Sequence, residues 1–316
     1  MKASVDDFLR AATPDSTRRS YQNAVDHFEL DFGGFLPTTS DSVARYLSTY
    51  AGKLSTNTLR QRLSALAQWH SSQGFPDPTK APLISKVMRG IRRVYPPSLK
   101  QAKPLAIQEL EVIDNWLSKQ IANAREVQDD VMERRATRDR AIILIGFWRG
   151  FRSDELSRLR IENIETSARG LIIHLAHTKT MENGITFKAP LLSRLCPTRA
   201  YQDWLNLCGC TYGPVFRSVN RWGHISDCPM NATSYIKLIR RLFNSAGIAK
   251  AQEYSSHSLR RGFATWASSS GWSLKELMEY VGWQDIGSAL RYIDAPDPFG
   301  QLRIERQLSS IDNVKL

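Results

Sequence analysis

The stretch AIILIGFWRGFRSDELSRL, residues 141–159, predicts an apolar helix, a turn at Gly150 and a second helix that starts near Ser153. Arg152 precedes this second helix, and Glu155 lies in its first turn. Because the first backbone N–H groups of a helix have no partners within it, these groups and the Arg152 guanidinium converge where an anion would bind. Arginine also often precedes a helix for purely local reasons. The turn therefore indicates an anion site without deciding the function.

Length and composition predict a water-soluble protein of two domains. The chain has 316 residues, of which 42% are hydrophobic and 23% charged, enough to bury a sizeable core. It has no run of eighteen apolar residues that could cross a bilayer. Its first residues, MKASVDDFLRAAT, lack the long apolar segment of a signal peptide. We therefore expect a cytoplasmic protein without a membrane partner.

The charge balance points to a polyanionic partner. Lys and Arg number 43 against 31 Asp and Glu, which gives a formal net charge of +12. Residues 1–105 hold 15 basic and 8 acidic side chains, so this smaller part of the chain is the more basic per residue. Nucleic acid is the first candidate for the partner, and an anionic membrane surface is the second. No amphipathic Lys-rich helix favours the membrane, so DNA or RNA leads.

The first hundred residues divide into four predicted helices, at 16–32, 41–50, 57–72 and 82–95. The fourth, PLISKVMRGIRRVY, places Lys86, Arg89, Arg92 and Arg93 on one broad face. A charged helix face is usually only solvated, but a basic face on a four-helix module also suits DNA binding. A break at Pro96-Pro97 then predicts a linker. The expected domains are 1–97, a DNA-binding module, and 107–316, a catalytic domain, joined by 98–106.

After the linker the chain is predicted to be mostly helical, with one β-hairpin. LIIHLA at 171–176 and ITFKAP at 185–190 read as two strands joined by a turn that contains Asn183 and Gly184. Lys179 lies near the tip of this hairpin. Lys188 lies on its second strand.

Two further segments carry candidate functional side chains. In SSHSLRRGFATW, residues 255–266, a serine caps a helix whose polar face carries His257 and Arg260, three residues apart. Such a pair could bind phosphate, although a helical histidine more often satisfies a local hydrogen bond. In GWQDIGSALRYIDAPD, residues 282–297, Tyr292 lies off the apolar stripe, so it either packs on the helix flank or does chemistry. The stripe is formed by Ile286, Ala289, Leu290 and Ile293.

Together these side chains suit attack on a phosphodiester. Two guanidinium groups can stabilise the charge that develops on phosphorus. A tyrosine hydroxyl can act as the nucleophile if positive charge and a proton acceptor lie nearby. The departing 5′ oxygen needs a proton, which Lys179 could supply.

In their order and spacing, these residues resemble the active site of the tyrosine recombinase, or phage integrase, family. The matching motifs are TKT around Lys179, HSLRRG at 257–262 and GW at 282–283 with Tyr292 nine residues after the tryptophan. LISKVMRGIRR and the GFPDP turn before it also resemble the family's core-binding domain. The resemblance implies a mainly α fold: a two-domain DNA clamp with a helical core-binding domain and a mostly helical catalytic domain that contains a small sheet.

The resemblance also implies a role for each residue. Tyr292 would form a 3′-phosphotyrosyl link, Arg152 and Arg260 would hold the scissile phosphate, and Lys179 would protonate the leaving 5′ oxygen. His257 would assist proton transfer, and Glu155 would orient its neighbours. Trp283 stands where many members of the family have histidine; its indole can donate a hydrogen bond but cannot titrate. Lys188 is a weaker alternative to Lys179.

The family's reaction implies no cofactor and no metal, since the covalent link conserves the energy of the phosphodiester. The implied partners are double-stranded DNA with an inverted-repeat site and a homotetramer on two sites. A helix predicted at 299–311 would dock in a neighbouring protomer or pack on its own domain. A type IB topoisomerase, a telomere resolvase or a non-catalytic DNA-binding regulator remain alternatives. A zinc site at the four clustered cysteines is disfavoured by their spacing.

Contacts to DNA are expected from the N-terminal module. Helices of this module should enter the major groove, where side chains can reach bases or phosphates. Arg60, Gln61 and Arg62 are candidates for base or phosphate contacts. Phosphate contacts, which position a protein without specifying sequence, are expected from Arg19, Lys86, Arg89 and Arg92.

Overall fold

The computed structural model describes residues 13, 15–96, 101–175 and 184–290, and the chain divides into two compact units, Met1–Lys100 and Gln101–Leu316. Lys179, Asn183, Tyr292 and the helix predicted at 299–311 lie outside the described residues. The described chain is mostly helical with a small antiparallel sheet, which confirms the predicted fold class.

The described part of the first unit contains four α-helices, of which two begin at a side-chain cap and one begins with a proline. They are α1 (Asp15–Asp26), α2 (Ser40–Tyr50), α3 (Thr56–Ser72) and α4 (Pro82–Val94). A π-helical turn, His27–Asp31, continues α1. Thr39 and Ser55 cap α2 and α3, because their hydroxyl oxygens accept backbone N–H groups from Ser42 at 3.3 Å and Thr58 at 3.0 Å. The predicted helices are thus confirmed, with ends that differ by a few residues.

The apolar faces of α2, α3 and α4 meet the π-helical turn after α1 in one core. Its buried members are Phe28, Val43, Tyr46, Leu47, Leu59, Leu66, Ile84, Met88 and Ile91. His70 is fully buried and joins the core to a loop: its Nδ1 lies 2.7 Å from the carbonyl oxygen of Leu66, and its Nε2 accepts the N–H of Thr38 at 2.9 Å. This pattern requires a neutral ring with the proton on Nδ1.

The second unit is built around a buried helix. Helix α6 (Asp130–Arg149) is almost entirely covered from Ala136 onward, as its apolar sequence predicted. It packs against α5 (Ile107–Glu126), α8 (Pro197–Cys208) and α10 (Ser256–Ser269). The remaining helices of the described unit are α7 (Ser153–Ser157), α9 (Ser234–Ser245), α11 (Leu274–Val281) and α12 (Ile286–Leu290). None of the described helices is both long and apolar enough to cross a bilayer.

The predicted hairpin is part of a three-stranded antiparallel sheet. Strands β2 (Gly170–Leu175) and β3 (Ile185–Pro190) pair from Gly170 opposite Pro190 to Leu175 opposite Ile185. A strand that was not predicted, β1 (Ile164–Ser167), pairs with the other edge of β2. A second unpredicted pair joins β4 (Arg217–Val219) and β5 (Ile225–Pro229). These extra strands are short, and the exposed faces of β1 and β5 give no alternating apolar pattern.

Residues 101–105, which the sequence placed in the linker, are attached to α10 and the turn before it. The backbone N–H groups of Lys103 and Leu105 donate to the carbonyl oxygens of Glu253 at 3.1 Å and Ser258 at 3.0 Å. Gly262 permits this close approach, since a Cβ atom there would overlap the carbonyl oxygen of Leu105. The start of the second unit therefore lies directly on the helix that carries His257 and Arg260.

The apolar stripe predicted for the last described helix is wrong in part. Ala289 is fully buried, but Ile286 and Leu290 each expose 56% of their surface. The predicted stripe requires a longer helix that packs along one face, and its fourth residue, Ile293, lies outside the described residues. Helix α12 spans only five described residues, and one small side chain suffices to pack it against the rest of the unit.

Candidate active site

The turn after α6 brings the first arginine and its carboxylate together. Gly150 ends α6 in the left-handed conformation, with φ of +58°, which turns the chain toward α7. Glu155 lies in the first turn of α7 and accepts twice from Arg152, from the backbone N–H at 2.7 Å and from the guanidinium Nη1 at 2.7 Å. The Glu155 side chain is 8% exposed and that of Arg152 is 43% exposed. Glu155 thus fixes an arginine that still faces solvent.

The second arginine reaches the same carboxylate from α10. Arg260 is 1% exposed, and its Nη1 lies 3.6 Å from Glu155 Oε2. The same nitrogen donates to the carbonyl oxygen of Gly150 at 2.6 Å. One carboxylate therefore lies between two guanidinium groups, which leaves a local charge of +1. This arrangement can stabilise negative charge on a bound phosphate.

Trp283 packs against Arg260. Its ring centroid is 5.1 Å from the guanidinium carbon, within cation–π range, and the side chain is 6% exposed. Gly282, with φ of +76°, ends α11 and directs the tryptophan inward. A Cβ atom at Gly282 would lie 3.0 Å from the Phe187 ring, so the end of α11 also packs closely against β3.

His257 lies one turn before Arg260 on α10 and is exposed. Its pKa is lowered from the ordinary value of 6.5, first by local desolvation and then by the positive charges of Arg152 and Arg260, while Glu155 opposes the shift. A neutral imidazole at physiological pH can accept a proton. His257 and Arg260 lie three residues apart on α10, and the charges of Arg152 and Arg260 both act on the imidazole.

The structure thus brings five of the seven predicted catalytic residues together: Arg152, Glu155, His257, Arg260 and Trp283. Lys179 and Tyr292 lie outside the described residues. Lys188, the alternative acid, is exposed on β3 opposite Ile172. Sequence reasoning missed the carbonyl oxygen of Gly150 as an arginine acceptor. Every residue has such an oxygen, so only the predicted turn pointed to this position.

The candidate DNA-contact residues of the first unit differ in exposure. Five of them are exposed: Arg19, Arg60, Lys86, Arg89 and Arg92. Gln61 and Arg62 face α1 instead, where Gln61 Nε2 donates to Ser20 Oγ and Arg62 Nη1 donates to the carbonyl oxygen of Asn23 at 3.3 Å. These two side chains hold α3 against α1 in the described unit.

The cysteine cluster offers no metal geometry in the part of the chain that the structure describes. Cys196, Cys208, Cys210 and Cys228 are free thiols. No group of three or more His, Cys, Asp or Glu side chains among the described residues could hold a metal ion. Cys196 instead caps α8, where its sulfur accepts the N–H of Arg199 at 3.4 Å.

Comparison with known proteins identifies the family of the chain. A family model described as "Phage integrase family" matches residues 118–297, more than half of the chain. The chain therefore belongs to the phage integrase family of tyrosine recombinases.

Named relatives cover most of the chain. An integrase/recombinase XerD homologue of Selenomonas ruminantium is 24% identical over 278 residues, which cover 86% of this chain and 78% of the relative. Recombinase Cre of Escherichia phage P1 is 25% identical over 273 residues, covering 82% and 77%. The structure of the Tn1549 transposon integrase in complex with transposon right end DNA has a TM-score of 0.62 at 18% identity and covers 95% of both chains.

Proposed function

We propose that the chain is a site-specific DNA recombinase that cleaves and rejoins strands through a 3′-phosphotyrosyl intermediate. The observation that carries this proposal is the arrangement of Arg152 and Arg260 on the two sides of Glu155. A phosphodiester under attack gains negative charge on its non-bridging oxygens, and two fixed guanidinium groups stabilise that charge more than the ground state. Membership of the phage integrase family supports the same chemistry.

In the proposed cleavage step, the hydroxyl oxygen of Tyr292 attacks phosphorus and the bond from phosphorus to the 5′ oxygen breaks. The tyrosine proton passes to His257, whose lowered pKa keeps the imidazole neutral and able to accept it. Lys179 gives a proton to the departing 5′ oxygen. The Trp283 indole contributes a hydrogen-bond donor that does not change with pH.

Rejoining is the reverse reaction with the 5′ oxygen of another strand as nucleophile. The phosphotyrosyl bond conserves the energy of the broken phosphodiester, so the exchange needs no ATP. Two successive exchanges would pass through a Holliday junction on two synapsed sites held by a homotetramer, with a dimer on each inverted-repeat site. The structure of the Tn1549 integrase in complex with transposon right end DNA supports DNA as the partner.

The two predicted domains would have different roles in this reaction. We assign DNA binding outside the scissile position to residues 1–97 and cleavage to residues 107–316, joined by 98–106. The exposed basic face of α4 supports the first assignment, because Lys86, Arg89 and Arg92 project from a helix whose opposite face is buried.

Capture of covalent adducts from a randomised library of nicked duplexes tests the proposal. A nick lets the short cleaved strand diffuse away, so the adduct accumulates. The wild-type chain should yield adducts on a common sequence, whereas Tyr292→Phe should yield none while still shifting the selected duplex in a gel. An adduct that persists in Tyr292→Phe would exclude the assignment. Products from circular and linear DNA would then separate recombination from topoisomerase or hairpin-forming activity.

A sulfur-substituted substrate tests the assignment of the acid. Lys179→Ala should cleave an ordinary duplex slowly. Its cleavage rate should recover on a duplex in which sulfur replaces the bridging 5′ oxygen, since a thiolate leaves without a proton. Lys188→Ala is the matched variant from the same hairpin and should cleave both substrates alike. The reverse pattern would transfer the role to Lys188.

A further inference from the structure

Arg149, the last residue of α6, is a buried cation that the mechanism above does not use. Its side chain is 2% exposed, and the described part of the chain gives it no salt bridge. Burial lowers the pKa of its guanidinium. A buried charge without a carboxylate is expensive, so its other contacts must offset that cost.

Those contacts are two backbone oxygens and two aromatic rings. Arg149 Nη1 donates to the carbonyl oxygen of Lys188 at 3.1 Å, and Nη2 donates to the carbonyl oxygen of Tyr280. The guanidinium carbon lies 3.9 Å from the centroid of the Tyr280 ring and 5.0 Å from that of Phe187. Tyr280 is in the last turn of α11, where carbonyl oxygens lack helical partners and a cation is favourable.

Arg149 and its contacts connect three segments that lie next to candidate catalytic residues in the sequence. Arg149 precedes Gly150, whose carbonyl oxygen accepts from Arg260, and the same turn leads to Arg152. In the sequence, strand β3 begins six residues after Lys179. Helix α11 ends at Gly282, directly before Trp283.

We propose that Arg149 is a positioning residue, whose forked guanidinium holds the turn after α6, strand β3 and the end of α11 in one arrangement around the scissile phosphate. This inference rests on the proposed function for its catalytic meaning. The fork is essential, because two acceptors on separate elements need two divergent donors on a rigid plane. Lysine has a single ammonium on a flexible stem and cannot hold both oxygens in the same way.

The test compares Arg149→Met with Arg138→Met. Arg138 lies on the same helix and is 5% exposed, but it donates to Asp139 and to the carbonyl oxygen of Arg217, none of which belongs to the site. Both variants remove a buried guanidinium and keep an apolar stem. Arg149→Lys is the conservative third variant.

The first measurement is the single-turnover cleavage rate of the bound complex, with a duplex captured by the wild-type chain as the probe. This rate does not depend on the fraction of folded protein. We expect Arg149→Met to bind the duplex with unchanged affinity and to cleave about a hundredfold more slowly, as for an ångström-scale displacement of catalytic groups. Arg149→Lys should recover only part of the rate, and Arg138→Met should cleave like the wild type. Equal rates in Arg149→Met and the wild type, or equal losses in both Met variants, would overturn the proposal.

The second measurement is hydrogen–deuterium exchange of the full chain without DNA, which does not require activity. Arg149→Met should speed amide exchange in 150–157, 185–190 and 280–284, and Arg138→Met should speed it around 217–219 instead. Unchanged exchange in the first three segments would overturn the positioning role. A wild-type chain that forms no adduct would contradict the proposed function, while the exchange result would still decide whether Arg149 holds these segments.

Discussion

The arginines of α4 and those around Gly150 carry the same charge but are held in opposite ways. Arg89 and Arg92 are exposed, and in the described part of the chain they have no hydrogen-bond or ion-pair partner. Arg149 and Arg260 are almost fully buried and donate to backbone carbonyl oxygens. Exposed side chains can adapt to a polyanion, which suits binding. Side chains fixed by the backbone lose that freedom before any ligand arrives, which suits the stabilisation of one geometry.

The strongest way to break this comparison is to remove one arginine of each kind. Arg260→Met should slow single-turnover cleavage about a thousandfold, because it removes a fixed donor from the phosphate site. Arg89→Met removes the same charge from α4 and should leave the rate of the bound complex unchanged. Similar losses in both variants would show that net charge, rather than fixed geometry, determines the rate.

A second prediction concerns the carboxylate between the arginines. Glu155→Gln keeps the size of the side chain but leaves the buried Arg260 without its counter-charge, so the free energy of unfolding should fall by about 3 kcal/mol. Asp154→Asn is the control, since Asp154 is exposed and pairs with Arg158 at 3.0 Å on the surface. It should change the free energy of unfolding by at most about 0.5 kcal/mol. Urea denaturation measures both, and equal stabilities would contradict the described ion-pair geometry.

The exposed arginines should control the salt dependence of binding. If Arg89 contacts phosphate, Arg89→Met should reduce the slope of log K against log salt by about 0.9, without any change in the circular dichroism spectrum. Arg194 is an exposed arginine that pairs with Glu111 at 2.8 Å in the second unit, and Arg194→Met should leave the slope as it is. DNA-binding titrations at four salt concentrations measure the two slopes. An unchanged slope for Arg89→Met would contradict a phosphate contact from this face of α4.

The smallest predicted effect is the pH dependence of His257. Its folded pKa lies below 6.5, so cleavage should accelerate as pH rises through that lowered value and level off near neutrality. The lowered pKa also makes stability depend on pH. The contribution of neutral His257 to the free energy of unfolding is complete above pH 6.5 and is lost as pH falls through the folded pKa. Arg152→Met removes one nearby positive charge and should raise the pKa, which an NMR titration of His257 can measure. A titration in the wild type at or above 6.5 would contradict the described environment.

Much of this arrangement could be predicted from the sequence because it depends on local rules. Gly150 ends α6 at the predicted turn, and the spacing of the charged residues separated the exposed from the buried face of α4. The identities and order of the candidate catalytic residues were also readable, and the structure brings together those that it describes.

What could not be predicted depends on contacts between distant segments. The contacts of Gln61 and Arg62 with α1 were not predicted, since helical spacing does not tell which neighbour covers a polar side chain. Arg149 ends an apolar helix, and no role was predicted for it. Its acceptors are backbone oxygens 39 and 131 residues away, which no side-chain pattern records.

Mass spectrometry of the covalent adduct tests the central claim most directly. The adduct would be formed on a captured nicked duplex, digested with nuclease and trypsin, and searched for peptides that carry a nucleotide remnant. The proposed function predicts one modified peptide, beginning after Arg291, with the 3′-phosphate on the Tyr292 oxygen. A remnant on any other residue, or cleaved DNA with no protein attached, would contradict a recombinase that forms a phosphotyrosyl intermediate at a site with Arg152 and Arg260.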